Sequence, residues 1–119
     1  MNYNFDSERP IYLQINDFLK NQIINVTLKS GDKIPSVREL ALTFKVNPNT
    51  IVKALYFLET EKLIYTDRTN GKFVTSNKEL IKQHKESYIK QKIDNFLNDV
   101  ALLGYTKEDV VKLLKEVEK

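Results

Sequence analysis

The sequence predicts a mainly α-helical protein with one small β-hairpin. Residues 34–64 contain two helix starts in close succession, one at Ser36 and one at Asn47. The dipeptide Asn70-Gly71 then separates two short apolar runs, which is the strongest short-range hairpin signal. Together these features predict a winged helix-turn-helix in residues 1–76. Residues 77–119 are predicted to form a two-helix C-terminal dimerisation tail.

Composition places the chain among ordinary globular proteins. It has 119 residues, of which 41% are hydrophobic and 29% charged. Cysteine is absent, which excludes disulfides and thiolate metal sites and fits a cytoplasmic location. No apolar run reaches the roughly 18 residues of a membrane span, and no signal peptide is expected at the N-terminus. The net charge of +3 is small, but between Leu40 and Leu58 only Lys45 and Lys53 are charged.

The first helix is predicted after an extended arm that ends at Pro10. Apolar residues recur at steps of three and four, as on one face of an amphipathic helix. The helix is expected to end near Leu28, before a polar turn around Gly31. The residues of this stripe are Ile11, Ile15, Phe18, Leu19, Ile23 and Val26.

The second and third helices are defined by their caps. Ser36 and Glu39 form the pattern of a capping box, and Asn47 is a cap followed by Pro48 at the first helical position. The third helix is expected to run to about Thr60. The inner stripes are Val37, Leu40, Ala41 and Phe44 on the second helix, and Ile51, Ala54, Leu55 and Leu58 on the third.

The outer face of the third helix has the chemistry of a DNA-reading helix. Asn49, Lys53 and Tyr56 cluster there, with Thr50 and Phe57 at its edge. Asparagine can bind adenine bidentately, threonine can contact a thymine methyl or a phosphate, and lysine adds charge. Taken alone, such a face is more often simply solvated.

A hairpin follows, in which residues 63–65 and 73–75 are the predicted strands. Asn70 and Gly71 form the turn because both tolerate positive φ, and Arg68 and Lys72 flank it. This gives a wing with a basic tip, whose Arg68 and Lys72 are predicted to contact DNA; the alternative is that they only keep the turn soluble.

The tail shows a long helical stripe that ends at Gly104, and Thr106 with Asp109 can cap a last helix. An apolar stripe can form an intramolecular hairpin core, but two helices joined near Gly104 cover only part of each other. A second subunit is therefore the favoured partner. The predicted dimerisation residues are Ile89, Ile93, Phe96, Leu97, Val100, Leu103, Val110, Leu113 and Leu114; Val117 also lies on the last helix.

Four segments resemble the GntR family of bacterial transcription regulators: PIYLQI from Pro10, IPSVRELA, VNPNTIVKAL and GKFV. The short tail is similar to that of the YtrA-like subfamily. The resemblance implies a homodimer on operator DNA, joined by the tail. Lys62 and Thr69 depart from the pattern, standing where the family often has glycine. The resemblance implies that Ser36 and Arg38 contact the DNA backbone and that Arg38 can also reach a base. It places Asn47, Asn49 and Thr50 at the recognition tip, with Lys53 behind them, and Gly71 at the wing tip near the minor groove, with Lys72 beside it.

The predicted function is a sequence-specific, DNA-binding transcription regulator, a homodimeric repressor of a palindromic operator. A winged-helix protein-interaction module without DNA binding is the alternative. No catalytic constellation is visible, so an enzyme is not expected, and no cofactor is implied. His84 has no companion metal ligands. A small-molecule effector would have room only in a small pocket between the tail and the DNA-binding part, or at the dimer interface.

Overall fold

The computed structural model describes residues 4–117 and confirms the predicted fold class. Within those residues it contains helices and one two-stranded antiparallel sheet. One compact unit ends at Lys82 and a second begins at Gln83, and the two are described separately. The elements are α1 (Ile11–Ile24), α2 (Val37–Phe44), α3 (Pro48–Thr60), β1 (Ile64–Asp67), β2 (Gly71–Val74), α4 (Lys78–Ala101) and α5 (Lys107–Glu116).

Helix α1 ends at Ile24, earlier than predicted. Val26 adopts a left-handed backbone with φ of 67° and is exposed, so it is not part of the apolar stripe. The Leu28 N–H closes the helix end by donating to the Gln22 carbonyl at 2.9 Å. Glycine normally occupies this left-handed position, so the sequence contained no signal for the helix end.

Both predicted caps of the helix-turn-helix are confirmed. Ser36 Oγ accepts from the Glu39 N–H, and the Glu39 carboxylate accepts from the Ser36 N–H. Asn47 Oδ1 accepts from the Asn49 N–H at 2.8 Å, with Pro48 at the start of α3. Between the helices Lys45 adopts a left-handed conformation with φ of 58°, which turns the chain sharply.

The predicted inner faces of α2 and α3 form the core, together with α1 and the hairpin. Asn16 is also buried, and its Nδ2 donates to the Ala54 carbonyl at 3.1 Å, which ties α1 to α3. Buried Gln14 holds the N-terminal arm. Its Oε1 accepts from the Asp6 N–H, and its Nε2 donates to the carbonyls of Asp6 and Arg9. The core residues are Ile15, Leu19, Ile23, Ile34, Leu40, Ala41, Phe44, Ile51, Ala54, Leu55, Leu58, Leu63, Ile64 and Val74.

The hairpin is present, but its predicted two-residue turn is wrong. Asp67 pairs with Gly71, so residues 68–70 form a three-residue loop. Within the hairpin only Gly71 has a positive φ, at 103°. The Asp67 carboxylate accepts from the N–H groups of Thr69 and Asn70, and these bonds stabilise the longer loop in place of an Asn-Gly turn. Both strands are assigned in slightly shifted positions, 64–67 and 71–74.

A further segment, not predicted, extends the hairpin. The Ile34 N–H donates to the Lys72 carbonyl, and the Val74 N–H donates to the Asp32 carbonyl, both at 2.8 Å. Lys33 therefore lies opposite Phe73 in an isolated β-bridge. Residues 32–34, which lead directly into α2, therefore run antiparallel beside β2 but pair with it only through this bridge.

The tail helices are present with one correction. Helix α4 ends at Ala101, so Leu103 lies in the following turn rather than on the helical stripe, and it is 78% exposed. Gly104 takes φ of 85°, and the Tyr105 N–H donates back to the Val100 carbonyl. Helix α5 opens with the predicted Thr106–Asp109 capping box, and Val117 lies just beyond its last residue.

Candidate nucleic-acid interface

The outer face of α3 is a polar surface on a rigid support. Asn49, Lys53 and Tyr56 are exposed, and Thr50 is partly exposed at the edge. The opposite face of α3 is fully packed: Ile51, Ala54 and Leu58 have no exposed surface. The predicted division of this helix into a core face and an outer face is confirmed, so the outer groups project from a helix fixed by the core.

Asn47 combines a structural role with an available donor. Its Oδ1 is engaged as the α3 cap, accepting from the Asn49 N–H. Its Nδ2 is not needed by the cap and lies at the exposed tip of the helix. Asn47 can therefore donate through Nδ2 without breaking the cap.

Lys53 lies over an aromatic group. Its Nζ is 4.1 Å from the centroid of the Tyr12 ring, close enough for a cation–π interaction. The Tyr12 ring stacks on Phe57 at 5.7 Å, and Phe57 meets Tyr56 edge to face. The Tyr12 ring is thus packed against the outer flank of α3, where it orients Lys53.

The start of α2 also presents polar side chains to solvent, those of Ser36 and Arg38. Ser36 is exposed, and because its Oγ accepts the capping bond, its hydroxyl proton remains available for donation. The backbone N–H of Ser36, followed by its side chain, lowers the pKa of the Glu39 carboxyl. The Glu39 carboxylate is bonded in the cap rather than paired with its neighbour Arg38. Arg38 is exposed on the first turn of α2.

The wing places its predicted contact residues in different environments. Arg68 is exposed in the loop, and Gly71 begins β2. Lys72 is only half-buried, but its Nζ forms an ion pair with Glu59 Oε1 and donates to Thr66 Oγ1 at 2.8 Å. This ion pair is the main reason that the pKa of Glu59 is lowered. Lys72 is thus bonded to the C-terminal part of α3 rather than projecting freely.

Lys33 is a candidate that the sequence reasoning missed. A Cβ built on Gly71 would lie 3.3 Å from Lys33 Cε and 3.9 Å from Lys33 Nζ. The exposed ammonium therefore lies against the wing at the residue predicted to approach the minor groove. The sequence shows Lys33 just before the apolar Ile34, but only the β-bridge to Phe73 brings Lys33 to the wing.

The predicted dimerisation residues form a largely uncovered apolar surface in the second unit. Ile89, Ile93 and Phe96 are about half exposed, at 48%, 51% and 49%. Only Val110 is buried among the described residues of α5. An apolar groove of about 390 Å³ runs between α4 and α5. Its walls are formed by Lys92, Ile93, Phe96, Leu97, Lys107, Val110, Val111 and Leu114.

Two other site classes were searched across residues 4–117. No group of three or more histidine, cysteine or carboxylate side chains within that range is arranged to hold a metal ion. None of the helices described there has the length and apolar character needed to cross a membrane.

Comparison with known proteins agrees with this geometry. The model for bacterial regulatory proteins of the gntR family matches residues 11–74. The chain belongs to the gntR family. Among gntR relatives in Bacillus subtilis (strain 168), the uncharacterized HTH-type transcriptional regulator YhcF is 36% identical over 115 residues, covering 97% of this chain and 95% of YhcF. The HTH-type transcriptional repressor YtrA is 37% identical over 112 residues, covering 93% and 86% respectively.

Solved structures extend the similarity to three dimensions. A GntR family transcriptional regulator from Listeria monocytogenes superposes with a TM-score of 0.88 at 41% identity, covering 96% of this chain and all (100%) of that one. The DNA-binding domain of AraR, solved in complex with operator ORX1, matches with a TM-score of 0.55 at 30% identity, covering 63% of this chain and 93% of that one. The protein is accordingly a DNA-binding transcription regulator of the helix-turn-helix type.

Proposed function

We propose that this regulator binds a palindromic operator as a homodimer and represses transcription. The observation that carries the proposal is the outer face of α3, where exposed Asn49 and Lys53 stand on a helix whose other face is buried. A helix of this kind enters a major groove with its N-terminal residues at base edges. Such a regulator would act on chromosomal DNA, so the cytoplasm is its expected location.

The proposed contacts divide by chemistry. Asn49 and Thr50 read base edges, and Asn47 donates from the helix tip. Ser36, Arg38 and Lys53 bind phosphates, which fix the orientation of the protein and provide most of the affinity. Tyr56 lies farther along the same face, and Arg68, Gly71 and Lys72 belong to the wing. The AraR domain, similar in fold and solved with operator DNA, supports operator binding by this fold.

The proposed dimer rests on the tail. An apolar surface with Ile93 and Phe96 half exposed is costly to leave in water. A second copy of the same surface, related by two-fold symmetry, would cover it on both subunits at once. Each subunit would then supply one recognition helix, so that the operator contains two symmetric half-sites. Repression, rather than activation, is supported by the relative YtrA, which is described as a repressor.

A small-molecule effector belongs to the proposal as its regulatory part. A groove of about 520 Å³ in the first unit is lined by Ile23, Val26, Leu28, Lys29, Ser30, Lys78 and Ile81. A ligand there, or at the dimer interface, would act by changing the separation of the two recognition helices. If calorimetry with candidate ligands detects no binding while operator binding is intact, the effector must be dropped.

Selection of bound DNA from a random pool tests the proposal directly. We expect a palindromic sequence with half-sites about one helical turn apart. On that operator, Asn49→Ala should lose about 1–3 kcal/mol of binding free energy, and much less on random duplex. Gln91→Ala, which removes an exposed amide from α4, is the matched control and should leave both affinities unchanged.

The competing protein-docking function makes a different prediction. DNA binding through phosphates weakens steeply with salt, because counterions are released on binding. If selection enriches no sequence and the affinity for duplex DNA does not respond to salt, the DNA-binding proposal is wrong and protein docking is favoured.

A further inference from the structure

The wing carries two lysines in contrasting environments. Lys72 belongs to β2, and its Nζ contacts Glu59 on α3 and Thr66 on β1. Lys33 belongs to the segment that leads into α2, and its side chain lies against Gly71. Both lysines therefore lie at the wing, but of the two only Lys72 forms an ion pair with a carboxylate within residues 4–117.

The register of the hairpin explains why the two side chains differ. Lys72 lies two residues before buried Val74, so both point to the face of the hairpin that meets the core and α3. Lys33 faces Phe73 across the β-bridge, so its side chain shares the opposite face with the stacked rings of Phe73 and Tyr65. One lysine therefore turns toward the protein and the other toward solvent.

The surroundings of Lys33 connect two predicted DNA-contacting regions. Its charge contributes to lowering the pKa of Glu39, after the larger effects of the Ser36 backbone and side chain. A cleft of about 270 Å³ is lined by Lys33, Ser36, Gly71 and Lys72, among others. Lys33 thus lies between the start of α2 and the wing, where a DNA backbone in contact with both regions would pass.

From this geometry we propose that Lys33, not Lys72, is the wing's phosphate-binding lysine. Lys72 is a positioning residue that fastens the wing to α3 through Glu59 and Thr66. The proposal rests on the proposed operator-binding function and adds a DNA-backbone contact to it. It also revises the role of Lys72, which the family resemblance implied to be in direct contact with DNA.

The test is the salt dependence of operator binding by the full chain. Each lost phosphate contact lowers the slope of log affinity against log salt by about 0.9. Lys33→Ala should lower the slope by about that amount on both operator and random duplex. The control is Lys29→Ala, an exposed lysine in the same loop, which should keep the wild-type slope.

Lys72 is tested with the double variant Glu59→Gln and Lys72→Gln, because this variant removes the ion pair without changing the net charge. We expect the wild-type slope, with a lower unfolding midpoint that reports the lost tie between wing and helix. A slope unchanged in Lys33→Ala, or reduced in the double variant, would overturn the inference. If the wild-type protein itself binds no DNA, the proposed operator-binding function is wrong. If the wild-type protein binds DNA but Lys33→Ala keeps the wild-type slope, only the inference about Lys33 is wrong.

Discussion

The two units of this protein contrast in how far each covers its own apolar surface. In the first unit α1, α2, α3 and the hairpin enclose a continuous core, in which Ile15, Ile51 and Leu58 have no exposed surface. In the second unit α4 contains no buried residue, and α5 contains one, Val110. The first unit is therefore stabilised by its own buried core, whereas the second leaves much of its apolar surface exposed.

This difference separates two tasks that a small regulator must perform. A reading surface needs a rigid base, because a loosely held helix cannot place Asn49 or Lys53 reproducibly against DNA. An association surface needs the reverse, apolar side chains that remain uncovered until a partner arrives. The same apolar periodicity in the sequence builds the core at Leu58 and, in the proposed dimer, would supply the association surface at Phe96.

The largest expected effect comes from a cavity in the first unit. Leu58→Ala removes a side chain with no exposed surface, and large-to-small core changes of this kind lower the free energy of unfolding by about 2–5 kcal/mol. Leu102→Ala, at a residue 87% exposed in the second unit, should cost less than about 0.5 kcal/mol. Urea denaturation of both variants measures the contrast; equal losses would contradict it.

The next effect concerns association. Phe96→Asp places a charge in the apolar groove of the tail, so we expect it to abolish the dimer while the first unit stays folded. Sedimentation velocity measures the assembly and circular dichroism the fold. Asn95→Asp adds the same charge at the neighbouring exposed position and should leave the dimer intact. A dimer that survives Phe96→Asp would place the interface elsewhere.

The smallest effect is a pH dependence within the first unit. Lys72, as the main cause, lowers the pKa of folded Glu59 below its ordinary 4.5. A lowered pKa means that the ionised form stabilises the fold above pH 4.5 and that this contribution is lost as the pH falls below it. Because the pair is partly exposed, the contribution should be under about 1 kcal/mol.

Comparing wild type with Glu59→Gln isolates this contribution. The wild type should have the higher urea midpoint at neutral pH, and the gap should narrow in acid. Glu86→Gln, an exposed carboxylate on α4, is the control and should give no gap that changes with pH. If the difference in urea midpoint between wild type and Glu59→Gln stays constant down to pH 3, the ion pair is not its source.

Local signals in the sequence predicted some parts of the site well. The caps at Ser36, Asn47 and Thr106 depend on a few neighbouring residues, and all three were confirmed. The hairpin turn failed, although Asn70-Gly71 is a strong signal, because the Asp67 carboxylate binds two loop N–H groups and favours the longer loop. The choice between a two-residue and a three-residue loop was therefore determined by Asp67, which lies outside the dipeptide.

What the sequence by itself determined is the order of helices, their caps and the two faces of α3, because these follow from periodicity and contacts within one or two turns. Tertiary structure alone decided the surroundings of each lysine. Lys33 and Lys72 are far apart along the chain, and both looked like exposed basic residues. Strand pairing with β2 turned one toward Gly71 and the other toward Glu59, because side chains on opposite faces of a hairpin meet different neighbours.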